Sequence, residues 1–303
     1  MSRLIRYIAY IALFFACFAI FLYWVFPYDV LKDRILNDVE SQLGKGLQVS
    51  ADRLEPYWFS GIDIKNLRIE GVGEHGIVDL LKFSRVRARA SLVPLIFGSI
   101  RLKFGLDIGK GELSGFAKVG EDTISLDLDI DDLNLSDFAF IQERTGLKVM
   151  SKIDGNVELE INRQQPARSA GSMQLTFANL GIGASELKVG DLALEMPDLV
   201  LAKGRDSQIK LTLSKGAATF EKFNLAEGDL LVDLKGKMFL SSKFANYRLN
   251  LRGKFSTSQK LNEALPFLFI VDSQKQEDGS YPLIITGRIS RPSIKIGTFT
   301  LPL

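Results

Sequence analysis

Residues 124–130 read Ile-Ser-Leu-Asp-Leu-Asp-Ile, so that every second residue is apolar. Because successive side chains of a β-strand point to opposite faces of the sheet, this run predicts a strand with one buried face and one wet face. Similar runs recur between Gly, Asp-Gly and Ser-Lys-Gly turns, which is typical of antiparallel meanders and predicts a mainly β fold. The other alternating runs are Ile62–Ile64, Val157–Ile161, Met173–Phe177, Leu192–Met196, Ile209–Leu213, Leu230–Leu240, Tyr247–Phe255 and Leu283–Ile289.

Few stretches have helical periodicity. Between Asp29 and Leu43 an apolar residue recurs every fourth position with charges between, and Gly44 and Gly46 end the pattern. This pattern predicts an amphipathic helix, which either packs on the end of the sheet or lies on a membrane surface. We favour packing on the sheet.

Two short helices are predicted inside the β-rich part. Ser136 is a candidate cap for a helix that runs through Arg144, and a serine precedes a second helix around residues 261–265. In both places a hydrophobic stretch, an Asp-Gly pair and a strand come next. The same order therefore occurs twice, about 125 residues apart, and suggests two structural repeats at residues 47–161 and 162–303.

The N-terminal region predicts a membrane anchor. From Tyr7 to Phe26 there are 20 consecutive uncharged residues, enough to cross a hydrocarbon core of about 30 Å. Arg3 and Arg6 precede this run and no basic residue follows until Lys32, so the positive-inside rule places the N-terminus in the cytoplasm. The predicted organisation is an anchor at residues 1–27, a juxtamembrane helix at 28–46 and a periplasmic β-rich domain at 47–303.

Two other interpretations of the N-terminus are weaker. A cleaved signal peptide has a shorter apolar stretch followed by small residues, whereas bulky residues fill positions 21–26. A lipoprotein would use Cys17, but Phe14 and Phe15 precede it and apolar residues continue beyond it. We therefore expect a single-pass protein of a bacterial inner membrane, with its C-terminal domain in the periplasm.

The composition disfavours several function classes. One Cys and one His exclude an intrachain disulfide and leave no convincing zinc site or Cys/His dyad. The formal net charge of +2 comes from Arg3 and Arg6, because 36 basic and 36 acidic residues follow from Pro27 onward. Such a balanced domain lacks the basic surface of a nucleic-acid-binding protein. We expect no nucleic-acid partner and no cofactor.

Three aspartates imitate part of a calcium-binding loop. Asp127, Asp129 and Asp131 have the spacing of the first EF-hand ligands, but the sixth position is Asp132 rather than Gly and the twelfth is Phe138 rather than Glu. The run fits a strand whose odd positions face water. Because no nucleophile elbow is present either, we predict no catalytic, cofactor-binding or metal-binding residue, and a protein that is not an enzyme.

One strand carries a row of positive charge. Arg85, Arg87 and Arg89 alternate with small apolar residues, which places three guanidinium groups on one strand face. They are candidates for contact with lipid phosphates or with an acidic partner surface. Alternatively, they pair across strands with the aspartates at positions 127, 129 and 131.

The apolar faces of the strands have few helices to cover them. Either two sheets pack face to face as a sandwich, or one curved sheet leaves an apolar groove that holds acyl chains. The pattern of residues is compatible with both arrangements. The positions predicted to line such a groove are Leu126, Leu128, Val157, Leu159, Leu175, Phe177, Leu211 and Leu213.

Several segments resemble known envelope proteins. The anchor, the juxtamembrane helix and the segment Leu54-Glu55-Pro56-Tyr57-Trp58-Phe59-Ser60-Gly61, which continues to Ile69, resemble the start of AsmA-like envelope proteins. Together with Val86–Ile100, Gly111–Gly115 and Ile285–Pro292, these segments are similar to the type II secretion system protein N family, whose members are bitopic inner-membrane proteins. The similarity covers most of the chain, although its motifs are turn glycines and apolar alternation.

The resemblance implies an accessory, non-enzymatic role at the inner-membrane platform of a type II secretion system, through protein contacts with other inner-membrane components. It also implies kinship with AsmA-like lipid-handling proteins, so binding or transfer of phospholipid is the alternative function. It supplies no catalytic residue.

Overall fold

The computed structural model describes residues 28–43, 46–58, 60–73, 76–91, 99–189, 192–241, 244–264 and 266–301, with six separate positions between Tyr7 and Phe21. Within these ranges, no helix has the length and apolar character needed to span a membrane. The anchor predicted at Tyr7–Phe26 lies largely outside the described residues.

The described part of the chain is mainly β. Three α-helices are present, which are α1 (Tyr28–Leu43), α2 (Ala139–Thr145) and α3 (Gln259–Ala264). Short 3₁₀ segments occupy Leu135–Asp137, Pro166–Arg168, Phe244–Asn246 and Pro266–Gln274.

Nineteen strands make up the rest of the regular structure in this part of the chain. The first nine are β1 (Leu47–Ser50), β2 (Arg53–Tyr57), β3 (Gly61–Gly73), β4 (Gly76–Ala90), β5 (Ile100–Ile108), β6 (Gly111–Val119), β7 (Thr123–Asn134), β8 (Lys148–Asn162) and β9 (Ala170–Gly183). The others are β10 (Ser185–Val189), β11 (Leu192–Met196), β12 (Leu199–Val200), β13 (Ser207–Ser214), β14 (Ala217–Leu225), β15 (Leu230–Phe239), β16 (Arg248–Thr257), β17 (Tyr281–Arg288), β18 (Arg291–Ile296) and β19 (Phe299–Leu301).

Seventeen of these strands form one antiparallel sheet. From β3 to β9 each strand pairs with the next, β9 pairs with β13, and the meander continues to β19. Strands β1 and β2 both pair with β3, while β10 and β11 form a separate hairpin. The predicted large antiparallel sheet with few helices is confirmed, and every alternating run noted above lies within or overlaps a strand.

The register aligns apolar side chains in rows across the sheet. One row carries Ala117, Leu126, Leu159, Gly171, Leu213, Ala218, Met238 and Leu249 on β6 to β9 and β13 to β16. The next carries Gly115, Leu128, Val157, Met173, Leu211, Phe220, Gly236, Leu251, Ile285 and Ile294 on β6 to β9 and β13 to β18. We call the side with these rows the apolar face and the opposite side the polar face.

Both short α-helices enter at the same end of the apolar face. The segment with α2 connects β7 to β8, and its Phe138 packs on a cluster around Phe83, Ile108 and Leu133. The segment with α3 connects β16 to β17, and its Val271 packs on the β-strand residues Phe255, Tyr281 and Ile296. We call this end of the strands the helix-covered end.

The sheet bends around α2. This helix contacts both β4 and β8, which are four strands apart and would lie about 19 Å from each other in a flat sheet. An α-helix is only about 10–12 Å wide with its side chains, so the sheet curls to reach it. Register shifts between β3 and β4, β7 and β8, and β8 and β9 mark bulges, which bend strands locally.

One of the two serine caps predicted from the sequence is present. Ser258 caps α3 by accepting a hydrogen bond from the Leu261 N–H at 3.2 Å. Ser136 does not cap α2, because Asn134 instead accepts the Ser136 N–H at 3.2 Å and begins a 3₁₀ turn. Gly146 ends α2 in the left-handed conformation, with φ of 74°. Helix α1 lies against β1 and β2 at the edge of the sheet, the packing favoured from the sequence.

Candidate functional site

The eight residues predicted to line a groove lie together on the apolar face. They occupy four neighbouring strands, β7, β8, β9 and β13, with Leu126 opposite Leu159 and Leu128 opposite Val157. Val157, Leu211 and Leu213 are buried, at 5–8% exposure. The half-buried members are Leu126, Leu128, Leu159, Leu175 and Phe177.

Exposure changes along the strands. On β5, Ile108 is 2% exposed at the helix-covered end, whereas Ile100 at the other end is 52% exposed. Both lie on the apolar face, because they are separated by eight residues in one strand. Three further large side chains at the same end are 37–38% exposed, and with Ile100 they form what we call the exposed patch. Its members are Ile100, Leu102, Val119 and Ile161.

The sequence did not single out the exposed patch. Ile100 faces Val119 across β5 and β6, while Val119 and Ile161 flank Ile124 on neighbouring strands. Ile161 ends one alternating run and Ile124 begins another, so their place on this face was predictable. Their exposure was not, because it depends on which end of the sheet the helical segments cover.

The buried clusters bear on the choice between a sandwich and a single curved sheet. Leu211, Leu213 and Ala218 form one cluster, and the half-buried residues around it come from neighbouring strands or from the residue that follows β15. In the described ranges, none of the four clusters joins β3–β6 to β14–β19. Two packed sheets would bury such pairs against each other. The described clusters therefore match one curved sheet.

The arginines of β4 are engaged within the sheet. The Arg85 Nε donates to Asp63 Oδ2 at 2.9 Å, and this hydrogen bond raises the pKa of Arg85. Asp63 is buried, at 4% exposure. The Arg87 Nη2 donates to Asp107 and Glu112, both at 3.2 Å.

Pairing of these arginines with the aspartates at 127, 129 and 131 was the wrong alternative. Strand β4 has β3 and β5 as its neighbours, whereas those aspartates lie on β7, three strands away. The third arginine, Arg89, lies with its guanidinium 5.3 Å from the ring centroid of Trp58, a cation–π geometry. In the described ranges no group of three or more His, Cys, Asp or Glu residues is placed to hold a metal ion.

One cavity beside β14, β15 and β16 carries charges of both signs. It measures about 620 Å³ and is lined by lysines and carboxylates of β14 to β16, together with Asp278. The Lys254 Nζ donates to Asp278 Oδ2 at 2.7 Å, which raises the pKa of Lys254 and lowers that of Asp278. This ion pair compensates one charge of each sign in the cavity wall.

Two further cavities lie where β15, β16 and β17 end, away from the helix-covered end. They measure about 350 and 840 Å³, and both are lined by Phe239, Arg248 and Arg288. The sequence did not predict this arrangement, because three separate strands bring the residues together.

The fold and this face define a mainly β protein with one open antiparallel sheet, whose apolar side is buried at the helix-covered end and exposed at the opposite end of β5, β6 and β8. No family model, no curated protein and no solved structure matches the chain.

Proposed function

We propose that the protein is a non-enzymatic, AsmA-like envelope protein that binds acyl chains on its apolar face. The observation that supports this most is the continuity of the apolar rows toward the exposed patch, where Ile100 is 52% exposed. Exposed large apolar side chains in one area mark a binding surface. Each methylene group of a bound chain that leaves water contributes about 0.8 kcal/mol.

The anchor predicted at residues 7–26 gives this function its setting. Held by one transmembrane helix in the inner membrane, the sheet would stand in the periplasm close to a lipid source. Helix α1, which contacts β1 and β2, would connect the anchor to the first strands. Phospholipid is the proposed ligand class, because its two chains are apolar and lack groups that need specific polar partners.

Photocrosslinking tests the proposal. The full-length protein is expressed in bacteria supplied with a fatty acid that carries a diazirine near its methyl end, which the cells incorporate into phospholipid. After irradiation, mass spectrometry should locate crosslinks on apolar-face residues of β5 to β9. Crosslinks confined to residues 1–27, with none in the sheet, would contradict acyl-chain binding by this domain.

Charge substitutions sharpen the test. Val119→Asp and Ile161→Asp place a carboxylate on the exposed patch, where it stays hydrated, so folding should persist while crosslinking to the sheet falls severalfold. Ser125→Asp is the matched control, since it adds the same charge on the polar face beside Ile124. Equal crosslinking in all three variants would count against this surface.

An accessory role in type II secretion is the second candidate. It is supported by the resemblance of residues 54–69 and 86–100, and by one contact on those segments. Trp58 is 63% exposed beneath the guanidinium of Arg89, and Trp and Arg are enriched among residues that dominate protein interfaces. A photoreactive amino acid at position 58 should crosslink to an inner-membrane secretion component, whereas the same residue at position 172 on the polar face should not.

A further inference from the structure

Three arginines lie side by side at one end of the sheet. In the register of β16, β17 and β18, Arg248 is opposite Arg288, and Arg288 is opposite Arg291. All three are exposed. Like charges directly opposite each other destabilise a sheet, so an anion bound at this row would relieve their repulsion.

Within the described ranges, the rim supplies no such anion. The rim at this end of the strands consists of residues 214–219, 237–241, 244–250 and 286–293. These residues include five Lys or Arg and no Asp or Glu. None of the ion pairs in the described ranges includes Arg248, Arg288 or Arg291. The contrast with β4 is direct, since Arg85 and Arg87 on the same polar face are paired with carboxylates.

The row borders a preformed space. The cavities of about 350 and 840 Å³ both have Arg248, Arg288 and Phe239 in their walls. The backbone at this rim is fixed, because the Ile289 N–H donates to Tyr247 O at 2.8 Å beyond the last strand pair. The larger cavity also has Asn250 and Thr286 in its wall, whose side chains can donate hydrogen bonds to phosphate oxygens.

The arginine row lies next to the apolar face. Leu249 follows Arg248 in sequence, and Gly287 precedes Arg288. Both residues line the larger cavity and belong to the apolar face of their strands. A phosphate held at the arginine row would therefore sit at the boundary between the polar and apolar faces. Guanidinium groups bind phosphate oxygens with paired, charge-assisted hydrogen bonds.

We infer that Arg248, Arg288 and Arg291 form a phosphate-binding site, which takes the phosphate of a lipid headgroup whose chains lie on the apolar face. The phosphate site follows from the charge and geometry of the rim, while its assignment to a lipid rests on the proposed function. Inorganic phosphate carries the same chemistry and serves as the probe that separates these two parts.

The experiment uses the full-length protein in a neutral detergent. Wild type is titrated with dioleoylphosphatidylglycerol and with dioleoylglycerol, which has the same chains without phosphate, and binding is followed by native mass spectrometry. In Arg248→Gln/Arg288→Gln, the affinity for the phospholipid should fall about tenfold or more, as expected for losing charge-assisted hydrogen bonds. The affinity for dioleoylglycerol should be unchanged.

A matched control removes two positive charges elsewhere. Arg163→Gln/Arg168→Gln changes exposed arginines in the connection between β8 and β9 at the same end of the strands, and should retain the affinity of wild type. Circular dichroism melting checks that each variant folds. If the Gln double variant unfolds, Arg288→Gln alone and Arg248→Lys/Arg288→Lys replace it, and Arg288→Gln should still lose several-fold in phospholipid affinity.

Each outcome has a distinct meaning. Equal phospholipid affinity in wild type and in the Arg248/Arg288 variant overturns the site, as does an equal loss in the Arg163/Arg168 control. Binding of dioleoylglycerol as tightly as the phospholipid also overturns it but leaves acyl-chain binding intact. If neither diacyl compound binds, but inorganic phosphate raises the melting temperature of wild type and not of the Arg248/Arg288 variant, the phosphate site stands and the lipid function fails.

Discussion

The two ends of strand β5 present the same residue type in opposite surroundings. Ile108 packs with Phe83 and Leu133 under the segment that carries α2, while Ile100 on the same face is 52% exposed. In the register of the sheet, both residues lie on the apolar face of the same strand. The difference shows that strand alternation decides which side chains share a face, whereas on β5 the segment that carries α2 decides which part of that face becomes core.

The largest expected effect comes from placing a charge at each end of this strand. Ile108→Asp buries an unpaired carboxylate in a cluster without a partner, which should cost several kcal/mol, about 4 or more, and unfold the β-rich domain. Ile100→Asp leaves its carboxylate in water and should change stability by less than about 1 kcal/mol. Urea unfolding of the full-length protein in detergent, followed by far-UV circular dichroism, measures both.

Asp substitutions at these positions also test whether a second layer covers the exposed patch. If Ile100→Asp unfolds the protein as severely as Ile108→Asp, the patch is core, and the proposed acyl-chain surface is wrong. Gln174→Asp, on the polar face of β9 opposite Asn156 and Lys210, controls for the added charge and should behave like Ile100→Asp.

Much of the fold follows from the sequence, because alternation is a local signal. The run from Ile124 to Ile130 lies in β7 as predicted, and the predicted helix at Asp29–Leu43 corresponds to α1. The pair Asp154-Gly155, in contrast, is predicted to precede the strand at Val157, whereas it lies within β8. Gly155 pairs there with Leu175 of β9, so β8 continues through the Asp-Gly pair. The local sequence carries no information about that neighbouring strand.

The candidate sites required long-range information. The groove residues share a face because β7, β8, β9 and β13 are neighbours. The order of strands along the chain favours the pairing of β7, β8 and β9, but not that of β9 with β13, which skips three strands. The arginine row depends on the exact register of β16 with β17 and of β17 with β18. A shift of one residue would move Arg248 away from Arg288, and no local pattern fixes that register.

A medium effect is expected from removing apolar volume at each end. Leu133→Ala takes a side chain of 6% exposure from the cluster at the helix-covered end and should cost about 2–4 kcal/mol. Leu102→Ala, in the exposed patch at 37% exposure, should cost less than about 1 kcal/mol. Chemical denaturation compares the two leucines directly, and equal losses would show that both ends are packed alike.

The two helical connections differ in how they attach to the sheet. The α2 segment contributes Phe138 to an apolar cluster, whereas the α3 segment adds polar attachments. The Tyr281 Oη donates to Asp272 Oδ1 at 2.7 Å, and the Ser258 Oγ donates to Asp229 Oδ1, also at 2.7 Å. Tyr281 is 1% exposed and stacks on Phe255 with 5.1 Å between ring centroids. Of these two segments, the one with α3 is therefore attached to its strand by a hydrogen bond from a buried tyrosine.

The smallest effect, and the one specific to the α3 segment, is expected from Tyr281→Phe. The substitution keeps the ring packing and removes one hydrogen bond, so it should cost about 1 kcal/mol at neutral pH.

Burial, followed by the contact with Asp272, raises the pKa of Tyr281 from 10.0 to about 12. The unfolded chain ionises this tyrosine first, so the native state of the wild type loses stability as the pH rises from 10 toward 12. At about pH 11 this loss reaches about 1.4 kcal/mol, which cancels the advantage of the hydrogen bond. The difference in stability between wild type and Tyr281→Phe should therefore shrink to about zero there, as urea unfolding at a series of pH values would reveal. A difference that stays constant up to this pH would mean that the phenol titrates normally and that the α3 segment does not seal this end of the apolar face.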